Sequence, residues 1–240
     1  MALSVSSHSH DLARSGFATV PCVTSLEIVS TLVDAMERAA AGPAAREKDN
    51  RLYAMRDLLR LVPSVRDLAA SPAIRDLVEP VLGASARAVR GILFDKTAQA
   101  NWKVAWHQDL SIAVKSKVDV SGFGPWSVKA GIPHVQPPAE VLANMLTVRL
   151  HLDDCTEDNG PLILLPGSHA QGVLSTTQIA RWRQDVLPVA CCCPAGGAVL
   201  MRPLLLHASS QARTPGHRRM IHIEFAGGDL PGGLQWFEER

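Results

Sequence analysis

His107 and Asp109, two positions apart in the run WHQDL, have the types and spacing that suit a metal ion. On a strand, side chains two positions apart leave the same face, so an imidazole and a carboxylate reach one ion side by side. His207 offers a third donor, because it closes the apolar run VLMRPLLL and precedes Ala208-Ser209-Ser210, the placement expected of a ligand at a strand end beside a cavity. Two imidazoles and a carboxylate suit iron(II), and grouped on one face of an octahedron they leave the opposite positions open for a cosubstrate and O₂. Arg218 stands eleven positions after His207, at the start of the next strand-like run. A dicarboxylate that chelates iron through its keto-acid end leaves a distal carboxylate, which a guanidinium meets with a bidentate, charge-assisted pair. Taken singly, each feature has a plainer reading: a surface strand pair, a turn histidine, a surface arginine beside Arg219. Their order along the chain is what joins them.

Such a site needs strands to carry it. After residue 85 the sequence becomes short apolar or alternating runs separated by Gly, Pro, Asn and Asp: ARAVRGILF, KVAWHQDLSIAV, NMLTVRLHLDD, PLILLPGS, GAVLMRPLLLHAS and RRMIHIEFA. Between 145 and 153, Met145, Thr147, Arg149, His151 and Asp153 share one face, and Leu146, Val148, Leu150 and Leu152 the other. The segment 218–225 repeats the pattern, setting Arg218, Met220, His222 and Glu224 against Arg219, Ile221, Ile223 and Phe225. Two polar strand faces predict either a lined cavity or the solvated side of a half-exposed sheet. Residues 115–140, rich in Gly and Pro, read as one long loop with the character of a lid or a disordered stretch.

The first third reads differently. FATVPCV, residues 17–23, is a short strand; Thr24-x-x-Glu27 makes a capping box for a helix ending near Gly42-Pro43; and Ser71-Pro72 begins a second helix that Gly83 ends. The expected architecture is a single domain over 1–240, mainly helical over 1–84 and a jelly-roll core over 85–240. Its fold class is mainly β with flanking α-helices, a double-stranded β-helix (cupin-like) barrel with helices packed outside the major sheet.

Composition narrows the function. The chain is 240 residues long, 47% hydrophobic, with a net charge of +1, so no broad field draws in nucleic acid or an anionic membrane. The expected partner is a small molecule, and oligomeric state is unreadable. No stretch is apolar for the length of a bilayer, and the N-terminus lacks a signal-peptide core, so a cytoplasmic location is expected. Five cysteines, three of them consecutive, suit a reducing compartment, and on a strand Cys191, Cys192 and Cys193 alternate faces and so do not converge on one ion.

The chain resembles the phytanoyl-CoA dioxygenase (PhyH) family of iron(II)- and 2-oxoglutarate-dependent oxygenases. The resemblance rests on GFATV at 16–20, WHQDL at 106–110, LHLDDCTEDNGPLILLPGSHAQG at 150–172 and LLLHASSQARTPGHRR at 204–219. It implies His107, Asp109 and His207 as iron ligands, Arg218 as the 2-oxoglutarate-binding arginine, and Ser209 as a further contact to that cosubstrate. Arg149 falls where some members carry a cosubstrate-contacting tryptophan; with Thr147 it is expected on the cofactor-binding face. The implied reaction uses Fe(II), 2-oxoglutarate and O₂ to hydroxylate a small metabolite, releasing succinate and CO₂. Asp109 disfavours halogenation, because related halogenases carry a small residue there, while desaturation, epimerisation and ring formation stay open to the same oxidant. The competing readings are a cupin-like metal enzyme that ignores 2-oxoglutarate and a non-enzymatic jelly-roll binding module.

Overall fold

The computed structural model describes residues 5–40, 45–48 and 51–238. Its strands are β1 (Phe17–Val20), β2 (Ala45–Lys48), β3 (Arg51–Arg56), β4 (Arg87–Lys96), β5 (Val104–His107), β6 (Ile112–Ala113), β7 (Trp126–Lys129), β8 (Ile132–Val135), β9 (Met145–His151), β10 (Leu162–Leu164), β11 (Val189–Cys191), β12 (Ala198–Met201), β13 (His207–Ser209) and β14 (Arg218–Ala226). Seven form the major sheet in the order β1-β12-β9-β14-β4-β3-β2, and four the minor sheet in the order β11-β10-β13-β5.

Alternation along β9 and β14 decides which side of the major sheet faces what. Leu146, Val148, Leu150 and Leu152 join Ile221, Ile223 and Phe225 in one buried cluster with helices α1 (Val5–Ser15), α2 (Leu26–Ala39), α3 (Leu58–Leu61), α4 (Pro63–Ala70) and α5 (Pro72–Leu82), so the helices cover the outer face as expected. Truncating a leucine at the centre of such a cluster, Leu150→Ala for instance, costs about 2–5 kcal/mol through lost transfer energy and an unfilled cavity. The inner faces meet through Leu162, Leu164, Cys191, Val199 and Met201. Among the described residues the two sheets stay separate, so they form an open sandwich.

Local signals explain the helix boundaries. Ser71 stands at the N-cap position of α5, though its hydroxyl makes no capping bond, Pro72 takes the first turn and Gly83 follows the end with φ +86, the boundaries the sequence implies. Helix α2 departs by one residue: Ser25, not Thr24, is the cap, its hydroxyl accepting from the Ile28 N–H at 3.3 Å. The end of that helix expected near Gly42-Pro43 lies outside the described residues.

The segment 115–140 is not one long loop. It carries the hairpin β7–β8, extended by β6 into a three-stranded sheet. Its two-residue turn, Ala130-Gly131, has positive φ at both positions (53 and 77), the twist that suits a tight hairpin. Alanine in the first position and proline at 133 hide the strand pattern from a sequence reading. The C-terminal segment holds this unit in place: Lys115 N–H donates to Gln235 C=O at 3.0 Å, Phe237 N–H to Ala113 C=O at 3.2 Å, and Trp236 packs with Ile112, Val114 and Val135.

Candidate metal centre

His107 and His207 are direct cross-strand partners on β5 and β13, which brings their ring centroids within 4.1 Å. Each ring is oriented in the same way. The Nδ1 of His107 bonds the carbonyl of Ala105 at 2.8 Å, and the Nδ1 of His207 that of Leu205 at 2.9 Å. Because a carbonyl only accepts, Nδ1 carries the proton in both rings and Nε2 keeps its lone pair. Asp109 lies just past β5, its N–H donating to Pro203 C=O at 2.9 Å. Its carboxylate oxygens lie 3.7 Å from the Nε2 of His107 and 3.7 Å from the Nε2 of His207. One donor atom from each of the three residues falls within 4.8 Å of the others.

Electrostatics favour the metal-binding protonation states. Burial alone would raise the pKa of Asp109, but His207, His222, His107 and Arg149 outweigh it and bring it down to about 2. Burial pushes His207 down to about 4 against the opposing pull of Asp109, so that imidazole is neutral near pH 7. The Oδ2 of Asp109 is buried with no hydrogen-bond partner. A buried carboxylate oxygen without a donor, facing an imidazole lone pair, fits a divalent cation as its missing partner.

Gln108 carries no obvious role in sequence, yet it sets the site. Its side chain points away from the two ligands and is buried, donating to Leu204 C=O at 2.6 Å and Gly172 C=O at 2.8 Å and accepting from Leu174 N–H at 2.8 Å. The strand end bearing His107 and Asp109 is thus tied to two neighbouring segments.

The three residues open onto a cavity of about 250 Å³ between the sheets, lined also by Phe94, Trp102, Arg149, Ser209, Arg218 and His222. Arg218 is 6% exposed; its Nη1 reaches Cys155 Sγ at 3.9 Å and its Nε is buried without a partner. The neighbouring Arg219 faces the other way, gripping Asp153 at 3.0 and 2.8 Å, and this anchor directs Arg218 inward. Arg149 donates to the Nδ1 of His222 at 3.0 Å, and His222 meets Glu224 at 3.3 Å. Burial pulls Arg149 down to about 10, partly opposed by Asp109. Glu224 stays below the usual carboxylate range despite burial, because Arg90 at 2.9 Å and His222 favour its charge.

Of the residues expected at the site, His107, Asp109, His207, Arg218, Ser209 and Arg149 all line this cavity. Thr147 does not: it is buried opposite Glu224 and Met201, behind the wall, with its Oγ1 unpaired. His151 is buried just past the lining, and Ser168 in the PGSH turn accepts from Leu206 N–H at 2.8 Å, fixing the approach to His207. The five cysteines are free, with Cys191 and Cys193 buried and Cys192 exposed between them.

Two β-sheets thus hold two histidines and a carboxylate beside a buried arginine, an arrangement that could take a metal ion. Residues 12–220 match the family described as phytanoyl-CoA dioxygenase (PhyH), and the chain belongs to that family. Ectoine dioxygenase of Bordetella parapertussis is 26% identical over 166 residues, covering 66% of this chain and 47% of the relative. The chain therefore spans about half the length of the curated relatives it matches. Among solved structures, the fold resembles the non-heme alpha ketoglutarate dependent carbocyclase SnoK from nogalamycin biosynthesis, with TM-score 0.71, 16% identity and coverage of 93% of this chain and 84% of that one. EctD from S. alaskensis, crystallised with 2-oxoglutarate and 5-hydroxyectoine, aligns with TM-score 0.69 and 20% identity over 94% of this chain and 76% of its own.

Proposed function

We propose that this protein is an Fe(II)- and 2-oxoglutarate-dependent oxygenase that hydroxylates a small-molecule metabolite. The observation that carries the reading is the convergence of His107, Asp109 and His207 in a cavity whose wall also holds the buried guanidinium of Arg218. In this reading His107, Asp109 and His207 hold the iron, Arg218 with Ser209 receives the distal carboxylate of 2-oxoglutarate, and Arg149 contacts a carboxylate nearer the metal. Iron with 2-oxoglutarate and O₂ supplies the oxidising power, with release of succinate and CO₂. The chain's own part is to orient the ligands through the Nδ1 bonds, to hold the dicarboxylate in one direction, and to narrow the cavity with Phe94, Trp102 and Leu162 so that water is kept out. A metal enzyme indifferent to 2-oxoglutarate has no use for a buried guanidinium with no carboxylate partner in this wall.

The same proposal takes residues 1–240 as one domain and places it in the cytoplasm. Five free thiols support that location, and among the described residues no helix is long and apolar enough to cross a membrane. With net charge +1, recognition of the substrate is local, without nucleic acid or membrane as partner. The test is anaerobic addition of Fe(II) and 2-oxoglutarate, read by the weak visible charge-transfer band of the chelate, followed by a metabolite screen scored by substrate-dependent succinate. A folded protein that shows neither the band nor stoichiometric iron uptake refutes the proposal.

A further inference from the structure

We infer that the substrate is a small acid whose carboxylate or phosphate docks on Lys129 of the β7–β8 hairpin, with Arg56 and Arg90 of the major sheet supplying charge behind it. That the acid is the substrate, and not some other ligand, rests on the oxygenase reading above. Along β14, Arg218, Met220, His222 and Glu224 alternate onto the inner face, and Arg218 and His222 line the metal cavity. Glu224 is thus the next inward position beyond His222, roughly 20 Å of extended strand from Arg218. The β4–β14 register sets Arg90 opposite Glu224 and Ile92 opposite His222, and the β3–β4 register sets Arg56 opposite Ile92. Residues directly opposite on neighbouring strands share a face, so both arginines stand on the inner wall at the end away from Arg218.

The hairpin supplies the facing side. Ser127 pairs with His134 and Lys129 with Ile132, so alternation puts His134 and Lys129 on one face. That face turns toward the metal centre: the Lys129 ammonium donates to the Ser111 hydroxyl at 2.8 Å, and Ser111 lies two positions beyond Asp109. It turns toward the two arginines as well. Burial lowers the pKa of Lys129, Arg90 and Arg56 lower it further, and Glu224 and Asp109 oppose them. The positive neighbours outweigh the negative ones.

Nearby carboxylates are already engaged. Glu224 meets Arg90 at 2.9 Å and His222 at 3.3 Å, and Glu238 accepts from Leu59 N–H at 2.9 Å and Gly91 N–H at 2.8 Å. Asp109 faces the two histidines of the metal centre. Among the described residues no carboxylate pairs with Lys129. An ammonium has three donors and Ser111 takes one, so this half-buried group has donors to offer an incoming anion.

His134 adds a second requirement. It is 1% exposed, and its Nδ1 carries the proton because it bonds the Ile132 carbonyl at 2.9 Å. Its Nε2 is therefore a buried lone pair, and it has no partner. Burial brings His134 down to about 4 against that carbonyl bond, and Arg90, Lys129 and Arg56 add to the effect, so the ring stays neutral beside three cations. A ligand that completes both groups brings an anionic oxygen for Lys129 and an O–H or N–H for His134.

The test uses four probes small enough to enter any cleft: lactate, its neutral amide lactamide, propionate, which lacks the hydroxyl, and inorganic phosphate. The anaerobic protein is first saturated with Fe(II) and 2-oxoglutarate, so that the Arg218 end is filled. Trace acetylation of Lys129 by N-hydroxysuccinimidyl acetate, read by peptide mass spectrometry, should slow about fivefold with saturating lactate or phosphate, the scale of one charge-assisted contact to a half-buried group, and not with lactamide. Stronger protection by lactate assigns a carboxylate, and stronger protection by phosphate a phosphate ester. Lactate should bind more tightly than propionate by calorimetry, and equal binding overturns the part given to His134. Lys129→Met should weaken the acids about fivefold while Lys129→Arg retains them. Protection by lactate and phosphate no greater than by lactamide, or Lys129→Met binding within about twofold of the unaltered chain, overturns the inference. So does a substrate from the succinate screen that carries no anionic group. Labelling of the unaltered chain decides alone should Lys129→Met fail to fold. Failure of 2-oxoglutarate to bind overturns the oxygenase reading, whereas failure of the acids to reach Lys129 overturns this inference and leaves that reading intact.

Discussion

Replacing Gln108 by alanine should damage the metal centre without touching a ligand. The side chain makes three hydrogen bonds, to Leu204 C=O, Gly172 C=O and Leu174 N–H, and two of them are fully buried. A net hydrogen bond contributes about 1 kcal/mol, and stranding a buried donor or acceptor costs about 1–3 kcal/mol, so the loss comes to about 3–5 kcal/mol once partial relaxation is allowed. For a chain of this length that is a fall in Tm of roughly 10 °C. Because the same bonds fix the strand end bearing His107 and Asp109, iron affinity should drop about 10- to 100-fold, the range seen when groups supporting metal ligands are removed. Gln108→Glu is the sharper variant: it keeps the acceptor for Leu174 but sets a carboxylate against two carbonyl oxygens, so it should be at least as harmful. Thermal melting and Fe(II) titration of the folded variants measure both effects. A Gln108→Ala protein within about 1 kcal/mol of the unaltered chain and with unchanged iron affinity would falsify the reasoning.

Other substitutions test other parts. His107→Ala and His207→Ala should each abolish stoichiometric iron uptake while the circular dichroism spectrum is retained; uptake by either variant equal to the unaltered chain would count against the triad. His151 is buried and held down to about 3, first by burial and then by Arg149 and Arg218, against an ordinary value of 6.5. Between those values the unfolded chain binds a proton that the native state does not, so stability falls as pH drops from 6.5 toward 3, by up to about 1.4 kcal/mol per pH unit. Denaturant titrations of His151→Asn should show a shallower decline by that amount. Gly160→Ala, at positive φ and against Ser210 O, should lower Tm and weaken 2-oxoglutarate binding together. A thiol reagent should modify Cys22 and Cys192 in the native protein and all five cysteines after unfolding; rapid native labelling of Cys155, Cys191 or Cys193 would contradict their burial.

The site was legible in sequence where chemistry and periodicity agree. His107 and Asp109 share a strand face, His207 ends an apolar run, and the alternation in β9 and β14 marks the inner wall, so the convergence of these side chains with Arg218 on one cavity was legible. Other parts could not be read, for physical reasons. Lys96 at the end of a strand looks like any solvated lysine, because its burial depends on Trp102 and the Gly160 loop folding over it. Gln108 sits between two candidate ligands, and its partners come from segments 64 to 96 residues away. The hairpin of 126–135 was hidden because Ala-Gly is a weak turn signal beside Asn-Gly and because Pro133 interrupts the strand pattern. Thr147 marks the limit of alternation: it puts the residue on the inner side of the sheet, yet Thr147 is not among the side chains that line the cavity.

Both histidines are pinned by a proton shared with the carbonyl two residues upstream, and this has a consequence for cohesion. Neither ring can turn over to hide its free lone pair without giving up that bond, so the folded chain holds two nitrogen lone pairs and a carboxylate oxygen in mutual opposition. Repulsion among them opposes the pairing of β5 with β13 at this point, and a divalent cation bound there would convert it into attraction. In the proposed metal-bound state the ion would be a rivet between these two strands as well as a reagent, and heat resistance should track metal occupancy even in a variant that has lost all turnover.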